Sequence, residues 1–400
     1  LATFLFYVLS IFSKEMGITL PAVLFAWEVL VHHRQGGVWR RAIAPLRDQP
    51  YFWALLWAGA GAFFVYRGLL LPRTFNPSWH GGDAVTNFAT VLVIHMRYLA
   101  VQIWPVDLQA DYTPFALNYA TSFLDWRALS GIGVIVLSLV LAAILERRAP
   151  LVALAVASYW VLLLPVSHII PHHEPAAEHH LYLPSAALCL ALGVGLVRLE
   201  ASRRWVGAGL IAALVAVLSV LTISRNVVWT DEELLWADTV HKAPWCARAQ
   251  LNLATFYLER HELDEAEVLL MRSFRSVDYA RTRAYLGNLH TLRGEYEQAD
   301  AILRAGLGRW PNDRYILRFH ALNLRFMGRE EEAREVLAAA IRLHAGDPDM
   351  HFLMAGSYVM SDEPELALEE YLEVLRIRPT DVASRTAADL LGTGSLPAAP

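Results

Sequence analysis

The sequence VSHIIPHHEPAAEHHLYLPS, residues 166–185, separates two apolar segments at roughly 151–165 and 182–197. It contains five histidines, two glutamates and three prolines. Titratable side chains at the edge of a lipid bilayer usually mark a substrate path, because their burial in lipid is costly. We therefore interpret this histidine-rich segment as one wall of an active site on the non-cytoplasmic face of a membrane protein.

Composition divides the chain into two unlike halves. The whole is 56% hydrophobic, but residues 1–225 carry 15 Lys+Arg against 11 Asp+Glu, and residues 226–400 carry 19 against 28. The net charges are therefore +4 and −9, which sum to −5. The first half is predicted to be a membrane domain and the second a soluble acidic one. The two cysteines, Cys189 and Cys246, offer no disulfide framework.

Several apolar segments are candidate membrane spans, since a spanning helix needs about 20 apolar residues. Arginines near 34–47, 147–148 and 198–204 mark connections on the cytoplasmic side. The candidate spans are 1–12, 16–31, 50–71, 127–145, 150–165, 181–197 and 205–223. Counting crossings from the arginines, the outer segments are 13–17, 72–84, 105–126, 166–180 and everything after 224.

Residues 85–104 are apolar too, but a simple crossing there conflicts with this count. Both flanks of the segment fall on the outer face, and His95, Arg97 and Gln102 interrupt its apolar run. We expect an interfacial or re-entrant helix against the outer surface. A miscounted span is the alternative.

Polar side chains cluster in four of the outer segments. Each cluster alone has a structural explanation, such as an ion pair at a helix junction or an arginine that snorkels. Together they predict a cavity that holds cations and carboxylates at the membrane boundary, which suits a lipid-linked phosphate and a proton acceptor. The clusters are Lys14 with Glu15; Arg67 and Arg73 with the NPSWHGG loop; Arg97 with Asp107, Asp111 and Tyr112; and the histidine-rich segment.

Residues 247–381 repeat at a nearly fixed period. Ala266, Ala299, Ala333 and Ala367 are 33, 34 and 34 residues apart, each with a small residue in the preceding helix. This is the tetratricopeptide pattern, in which paired antiparallel helices stack around a shared core. The predicted fold is all-α, and its domains are a polytopic membrane domain at 1–225, a linker helix at 226–246, four tetratricopeptide repeats at 247–381, and a capping helix with a loose tail at 382–400.

The expected partners follow from these two halves. The first half should contact membrane lipids, and a tetratricopeptide array presents a concave groove to a protein or peptide. The acidic balance of the second half argues against nucleic acid. No Gly-rich phosphate loop occurs, so no nucleotide cofactor is expected.

Motifs along nearly the whole chain resemble the TMTC group of transmembrane, tetratricopeptide-bearing mannosyltransferases. The resemblance implies a GT-C glycosyltransferase that takes mannose from a polyprenyl or dolichyl phosphate and passes it to a protein Ser/Thr hydroxyl. It also implies a bacterial inner membrane or an ER membrane, with the repeats on the periplasmic or lumenal side. The motifs are SKEMGIT (13–19), the NP loop after LLLP, WPVDLQADYTP (104–114), AEHHLYLPSAALCLALG (177–193) and RNVVWTDEELLW (225–236).

The resemblance also suggests roles for individual residues. The cations expected to bind the lipid phosphate are Lys14, Arg67 and Arg97. The residues expected to orient substrates are Glu15, Asp111, Tyr112, His173, Glu174, Glu178, His179 and Tyr182.

Two departures from the family pattern bear on these roles. The acidic residue proposed as the base in such enzymes lies in the first outer loop and has no counterpart here. We therefore expect a chain truncated at its N-terminus, whose catalytic residue is unknown. The family tends to carry Arg after the glutamate where His179 follows Glu178, so phosphate binding by His179 would weaken as pH rises.

Two other interpretations stay open. The chain could be a non-catalytic membrane anchor whose repeats recruit partners to an envelope assembly. Alternatively, HHEPAAEHH (172–180) could bind a metal, since histidine and glutamate are suitable ligands. The i, i+4 pair His168 and His172 is interrupted by Pro171, so the prediction is for no metal.

Overall fold

The computed structural model describes residues 2–70, 79, 81–112, 119–169 and 176–392, apart from the side chains of residues 15 and 70. Throughout these residues the regular structure is helical, which confirms the all-α prediction. Contacts divide the chain into two units, Leu1–Ala243 and Pro244–Pro400. We call the first the apolar unit and the second the repeat unit.

The described residues of the apolar unit form a set of helices. Its helices are α1 Ala2–Ser13, α2 Leu20–Trp27, α3 Val38–Asp48, α4 Pro50–Leu70, α5 Ala84–Ile103, α6 Trp126–Leu145, α7 Pro150–Leu163, α8 Tyr182–Ser202, α9 Arg204–Trp229 and α10 Glu232–Lys242. A π turn at Glu28–His32 extends α2, and 3₁₀ turns lie at Glu15–Thr19, Leu164–Val166 and Glu178–Leu181.

Local sequence determines where several of these helices begin. Pro150 lies in the first turn of α7, where its missing N–H would have no helical partner anyway. Asp83 caps α5, and its carboxylate accepts a hydrogen bond of 2.9 Å from the backbone N–H of Thr86. Asp125 caps α6 in the same way through the N–H of Arg127, also at 2.9 Å.

Five helices in the described part of the chain are long and apolar enough to cross a membrane: Pro50–Leu69, Ala84–Ile103, Trp126–Leu145, Glu178–Ser202 and Arg204–Trp229. In four of them only 6–22% of the most apolar window is buried, whereas half of it is buried in the helix Ala84–Ile103. The predicted spans 1–12, 16–31 and 150–165 are also apolar helices, but shorter ones.

The last long helix differs from the predicted span 205–223 and from the boundary expected near Arg225. Helix α9 continues to Trp229, because its last three residues, 227–229, are apolar and the charge of Arg225 is paired. The guanidinium of Arg225 lies 2.8 Å from the carboxylate of Asp238 in α10.

The helices α7 and α8 define two opposite ends of the apolar unit. At the basic end, where α7 begins and α8 finishes, Arg34 donates to the carbonyl of Arg147 at 2.9 Å and Arg198 to that of Arg148 at 3.4 Å. At the histidine end lie residues 166–169 and 176–181, which are the described parts of the segment between the two helices. The arginine clusters predicted to share one side of a membrane therefore meet in the fold.

Helix α5 lies against the histidine end along its whole length. Near its start, Asn87 donates to the carbonyl of His168 at 3.2 Å. Near its finish, Gln102 donates to the carbonyl of Leu181 at 3.5 Å. Length alone would let α5 cross a membrane, but contacts from both of its ends to one connection favour a helix that lies across this end. Helix α5 is unbroken over Ala84–Ile103, and its interfacial or re-entrant placement in a membrane stays a prediction.

In the described residues, the repeat unit consists of four helix pairs and one further helix at its end. They are α11 Ala247–Glu259, α12 Leu263–Ser276, α13 Ala280–Leu292, α14 Tyr296–Arg309, α15 Arg314–Phe326, α16 Glu330–Leu343, α17 Pro348–Met360, α18 Pro364–Ile377 and α19 Val382–Gly392. The four alanines of the predicted repeat are all fully buried, as the packing of paired helices requires.

The turn inside each helix pair has the same backbone conformation. The residues with positive φ are His261 (60°), Gly294 (78°), Gly328 (74°) and Asp362 (59°), and they recur with the 33- to 34-residue period. The left-handed conformation favours glycine. Only two of the four turns have a glycine at this position, so the sequence indicates only those two.

We predict that Gly287→Ala loosens the second helix pair. A Cβ at this position would lie 2.5 Å from Cγ of Leu303, so Leu303 must move, and overpacking of this kind costs about 1–3 kcal/mol. Hydrogen exchange of the α13 and α14 amides in the full chain should become faster.

The matched control is Gly308→Ala in α14, where a Cβ would meet nothing within 4 Å. Alanine is the better helix former by up to about 1 kcal/mol, so exchange should stay the same or slow. Equal acceleration in both variants would contradict the packing described for Gly287.

Candidate active site at the histidine end

The carboxylate of Glu178 joins three segments that are distant in the sequence. Its Oε1 atom accepts a hydrogen bond from the backbone N–H of Gln109 at 2.6 Å and another from the hydroxyl of Tyr112 at 2.8 Å. The same atom lies 4.0 Å from the guanidinium of Arg225. Glu178 is only half-buried, so the cluster is also accessible to a ligand.

Tyr112 acts as a hydrogen-bond donor in this cluster. Its side chain is 5% exposed. Burial raises the pKa of the Tyr112 phenol above its ordinary value, and the negative charge of Glu178 raises it further. The phenol therefore remains protonated and holds the Glu178 carboxylate in one orientation.

Helix α10 fastens the loop 105–112 to the apolar unit. The ammonium of Lys242 donates to the carbonyl of Leu108 at 3.0 Å and to the carboxylate of Asp238 at 2.8 Å. The hydroxyl of Thr239 accepts from the backbone N–H of Ala110 at 3.2 Å. The segment expected to be only a linker helix thus packs within the apolar unit and supports the site.

Arg97 reaches the same loop from the last turns of α5. Its guanidinium donates to the carbonyl of Asp107 at 3.1 Å, and it is close enough to Tyr112 for its charge to act against the rise in the pKa of that phenol. The predicted grouping of Arg97 with Asp107 and Tyr112 is therefore present in the structure.

The described histidines of the segment serve its packing. His180 is 6% exposed, and its Nδ1 lies 3.0 Å from the hydroxyl of Tyr98. That hydroxyl also accepts from the N–H of Ala177 at 3.1 Å. His168 is fully buried, while His179 is exposed. Within the described residues, the histidine ring best placed to meet a substrate is therefore that of His179.

The structure brings some of the predicted site residues together. Arg97, Tyr112 and Glu178 belong to one cluster, Asp111 is buried next to Tyr112, and Tyr182 lies on the surface, 80% exposed. The predicted residues His173 and Glu174, and the side chain of Glu15, lie outside the described residues.

Lys14 and Arg67 lie at neighbouring helix ends. Lys14 is exposed just after α1, two residues before Met16, which belongs to the buried cluster that includes Tyr112. Arg67 is half-buried in the last turn of α4. The ring of Phe12 in α1 packs against that of Tyr66 in α4, with centroids 5.5 Å apart. The ends of α1 and α4 that carry these two cations are thus adjacent.

Sequence reasoning missed Arg225, Asp238 and Lys242. Asp238 lies 2.8 Å from each of the two cations. In the sequence, Arg225 follows an apolar segment and looks like an arginine at the end of a membrane span. Asp238 and Lys242 look like exposed residues of a linker helix. The i, i+4 spacing of Asp238 and Lys242 was the available signal, but their contact with the loop depends on tertiary structure.

One trio of possible metal ligands occurs among the described residues, at the basic end. Oε2 of Glu28 lies 3.4 Å from Nδ1 of His32 and 3.3 Å from Nε2 of His33. The two rings are stacked, with 17° between their planes. The ligand atoms of the three residues lie within 4.8 Å of one another. The suggested metal ligands His172 and His173 lie outside the described residues.

The arrangement at the histidine end suits a phosphate and a hydroxyl. Arginine and lysine side chains bind phosphate oxygens through charge-assisted hydrogen bonds, and Arg97, Arg225 and Lys242 surround the loop 105–112. A fixed carboxylate such as Glu178 can accept a hydrogen bond from a substrate hydroxyl.

The chain is distantly similar to protein O-mannosyl-transferases. No family model matches it. It is 26% identical over 258 residues to mouse protein O-mannosyl-transferase TMTC1, which covers 61% of this chain and 26% of the mouse protein. It is 28% identical over 134 residues to Drosophila melanogaster protein O-mannosyl-transferase Tmtc2, covering 32% and 14%. The match thus spans about a quarter or less of each relative, and it supports the predicted resemblance at the level of distant similarity.

Solved tetratricopeptide proteins are also similar to the chain. A tetratricopeptide repeat protein from Parabacteroides merdae gives a TM-score of 0.39 at 13% identity, covering 65% of this chain and 99% of that one. A thermophilic protein of Thermus thermophilus gives 0.38 at 18% identity, covering 40% and 89%. Both scores are below 0.5, so the tetratricopeptide assignment rests on the buried alanines and repeated turns of the repeat unit.

We predict that Thr239→Val releases the loop 105–112 from α10. Valine has the same shape but cannot accept the hydrogen bond from Ala110, whose N–H then loses its partner at a cost of about 1–3 kcal/mol. Hydrogen exchange of the amides at 109–112 should accelerate in the full chain.

Thr230→Val is the control for this change. The hydroxyl of Thr230 is exposed and donates only to the carbonyl of Val227 in its own helix, at 2.7 Å. This variant should leave the loop amides unchanged. If Thr239→Val also left them unchanged, α10 would not hold the loop.

Proposed function

We propose that the protein is a membrane glycosyltransferase of the GT-C type, which moves mannose from a polyprenyl- or dolichyl-phosphate donor to a serine or threonine hydroxyl of a protein. The observation that carries this proposal is the cluster around Glu178, where a carboxylate, a phenol and cations meet at one end of an apolar helical unit. The distant similarity to two protein O-mannosyl-transferases supports the same chemistry.

In this proposal the apolar unit is embedded in the membrane. The arginines of the basic end face the cytoplasm, in accordance with the positive-inside rule. The histidine end, with Glu178, then faces the periplasm or the lumen. The chain continues from α9 and α10 at this end, so the repeats follow on the same side of the membrane.

The transfer requires one bond to form and one to break. The oxygen of the acceptor hydroxyl attacks the anomeric carbon of the sugar, and a carboxylate accepts the proton of that hydroxyl. The bond between the anomeric carbon and the phosphate oxygen breaks, and its electron pair leaves with the lipid phosphate. The phosphate linkage already supplies the driving force, so the transfer requires no nucleotide.

In this mechanism, some residues of the histidine end would stabilise charge and others would orient the substrate. Arg97, with Lys14 and Arg67, would stabilise the negative charge that grows on the leaving phosphate. Glu178, fixed by the hydroxyl of Tyr112 and by a backbone N–H, would orient a hydroxyl of the substrate.

The repeat unit would bind the acceptor protein or a partner. Arg281 lies over the rings of Tyr285 and Tyr315, 5.6 and 4.9 Å from their centroids. Aromatic side chains and arginine contribute most of the binding energy at protein interfaces. Such a group on successive repeats suits the recognition of a polypeptide.

A membrane-anchored scaffold is the second candidate, and one observation favours it. Arg225 and Lys242 both pair with Asp238, and Glu178 already accepts two hydrogen bonds. In a purely structural cluster, these cations and carboxylates would neutralise one another without a bound substrate. In that case the repeats would recruit partners, and no sugar would be transferred.

We predict that Glu178→Gln and Arg97→Gln each lower mannose transfer by about 10- to 100-fold. A hydrogen bond to a charged group contributes about 1.5–3 kcal/mol, and each 1.36 kcal/mol in the barrier changes the rate tenfold. Transfer from radiolabelled dolichyl-phosphate mannose to protein acceptors, in membranes that contain the full-length protein, measures the effect.

Arg198→Gln is the matched control, because it removes a cation at the basic end, and its transfer rate should equal that of the unmodified protein. If the unmodified protein transfers sugar and all three variants do so equally well, the histidine end is not the active site. If no transfer occurs while deletion of the repeats abolishes partner binding, the scaffold interpretation is correct.

A further inference from the structure

A basic cavity lies at the end of the apolar unit opposite to Glu178. Its volume is about 1150 Å³. It is lined by five arginines and one glutamate together with the turn that contains His32 and His33. The charged side chains are Arg34, Arg40, Arg41, Arg47, Arg147 and Glu146.

The local carboxylates only partly neutralise these arginines. Glu146 lies 2.8 Å from Arg41, which is 3% exposed, and Asp48 lies 2.9 Å from Arg47. The carboxylate of Glu28 also contacts the lining histidines His32 and His33. Five arginines against these three carboxylates leave a net charge of +2. In addition, Nε of Arg41 is buried without a hydrogen-bond partner in the described part of the chain. A cavity of this kind is suited to an anion with several oxygen atoms.

Helix α3 forms one wall of the cavity and has an exposed apolar face. Val38, Trp39, Ile43 and Leu46 are 60%, 83%, 58% and 43% exposed. At 3.6 residues per turn they fall within an arc of roughly 140°. Arg40 and Arg47 lie next to the Ile43 edge of this face, and all three residues line the cavity.

An amphipathic helix of this kind lies in the interface of a membrane, with its apolar face in the acyl-chain boundary and its arginines near the headgroups. Tryptophan, here Trp39, is enriched at that depth. A free anion would use the arginines but not the apolar face. A phospholipid would use both at once, since its phosphate and its acyl chains are joined.

We propose that this cavity binds the phosphate of an anionic membrane lipid, with α3 in the interface of the leaflet and the acyl chains along Trp39 and Ile43. The inference rests on the membrane location in the proposed function, but not on glycosyl transfer. The site lies at the opposite end from the cluster of Glu178, so it is a lipid site separate from the one proposed for the donor.

The test measures lipid binding to the purified full chain in a non-ionic detergent by native mass spectrometry. The probes are dioleoyl phosphatidylglycerol, dioleoyl phosphatidylcholine and inorganic phosphate. The unmodified protein should bind phosphatidylglycerol more tightly than either other probe. The double variant Arg40→Gln/Arg47→Gln should bind phosphatidylglycerol about 30-fold more weakly, since each arginine near an anionic lipid contributes roughly fivefold.

Two further variants separate the contributions. Trp39→Ser/Ile43→Ser should weaken phosphatidylglycerol about tenfold and leave inorganic phosphate unchanged. Arg203→Gln/Arg204→Gln removes the same charge from exposed residues at the basic end that do not line the cavity. Its affinity for phosphatidylglycerol should stay within about twofold of the unmodified protein.

Three results would overturn the proposal. Equal binding of phosphatidylcholine would mean that anionic charge is not recognised. Equal losses in the two arginine double variants would mean that only the overall charge of this end matters. Inorganic phosphate that binds as tightly as phosphatidylglycerol, with no effect of the Trp39 and Ile43 changes, would mean that the ligand is a free anion. None of these readouts depends on sugar transfer, so each outcome is distinct from a failure of the proposed enzyme.

Discussion

The hydrogen bonds to Glu178 hold the histidine end of the apolar unit together. They connect the loop after α5 to the turn before α8, and the nearby pair of Arg225 and Asp238 adds the end of α9 and the helix α10. The same segments also contribute Tyr112, Ala176 and Leu181 to one buried apolar cluster. The same bonds leave the carboxylate half-buried, a position in which a group is ordered yet still able to meet a ligand.

The two ends of the apolar unit differ in how far their positive charges are neutralised by carboxylates. At the histidine end, cations and carboxylates pair across segments, and a phenol completes the set. At the basic end, Arg41 and Arg47 pair with carboxylates, but Arg34 and Arg198 use backbone carbonyls as acceptors, so the charge of these two arginines is not cancelled. A carbonyl fixes the position of a guanidinium without neutralising it. This difference lets one end order mixed charges while the other remains positive.

Much of this fold could be predicted from the sequence because its signals are local and periodic. The predicted apolar segments are helical in the described residues. The four alanines at 33- to 34-residue spacing are buried between paired helices. The site was predicted only in part. Arg97, Tyr112 and Glu178 do meet, since their motifs flank apolar helices that end on the same side. The roles of Asp238 and Lys242 depend on how α10 folds back on the loop, which no local pattern records.

Helix α5 marks another limit of sequence reasoning. Its composition suits either a crossing or a surface position, and the count of arginines gave only an indirect argument for the surface. The contacts of Asn87 and Gln102 with one connection favour the surface position. Similarly, glycine revealed the turns at 294 and 328 but not those at His261 and Asp362, which adopt the same backbone conformation.

These four turns give the repeat array a gradient of local stability. Glycine takes the left-handed conformation without strain, whereas other residues do so at a cost of about 1–2 kcal/mol. The strain-free corners are those of the two middle repeats, and the strained ones belong to the first and last. In a linear array each repeat is stabilised mainly by its neighbours. Folding should therefore nucleate in the two middle repeats, and fraying should begin at the first and last repeats. The amide exchange rates of the four turns would reveal this order.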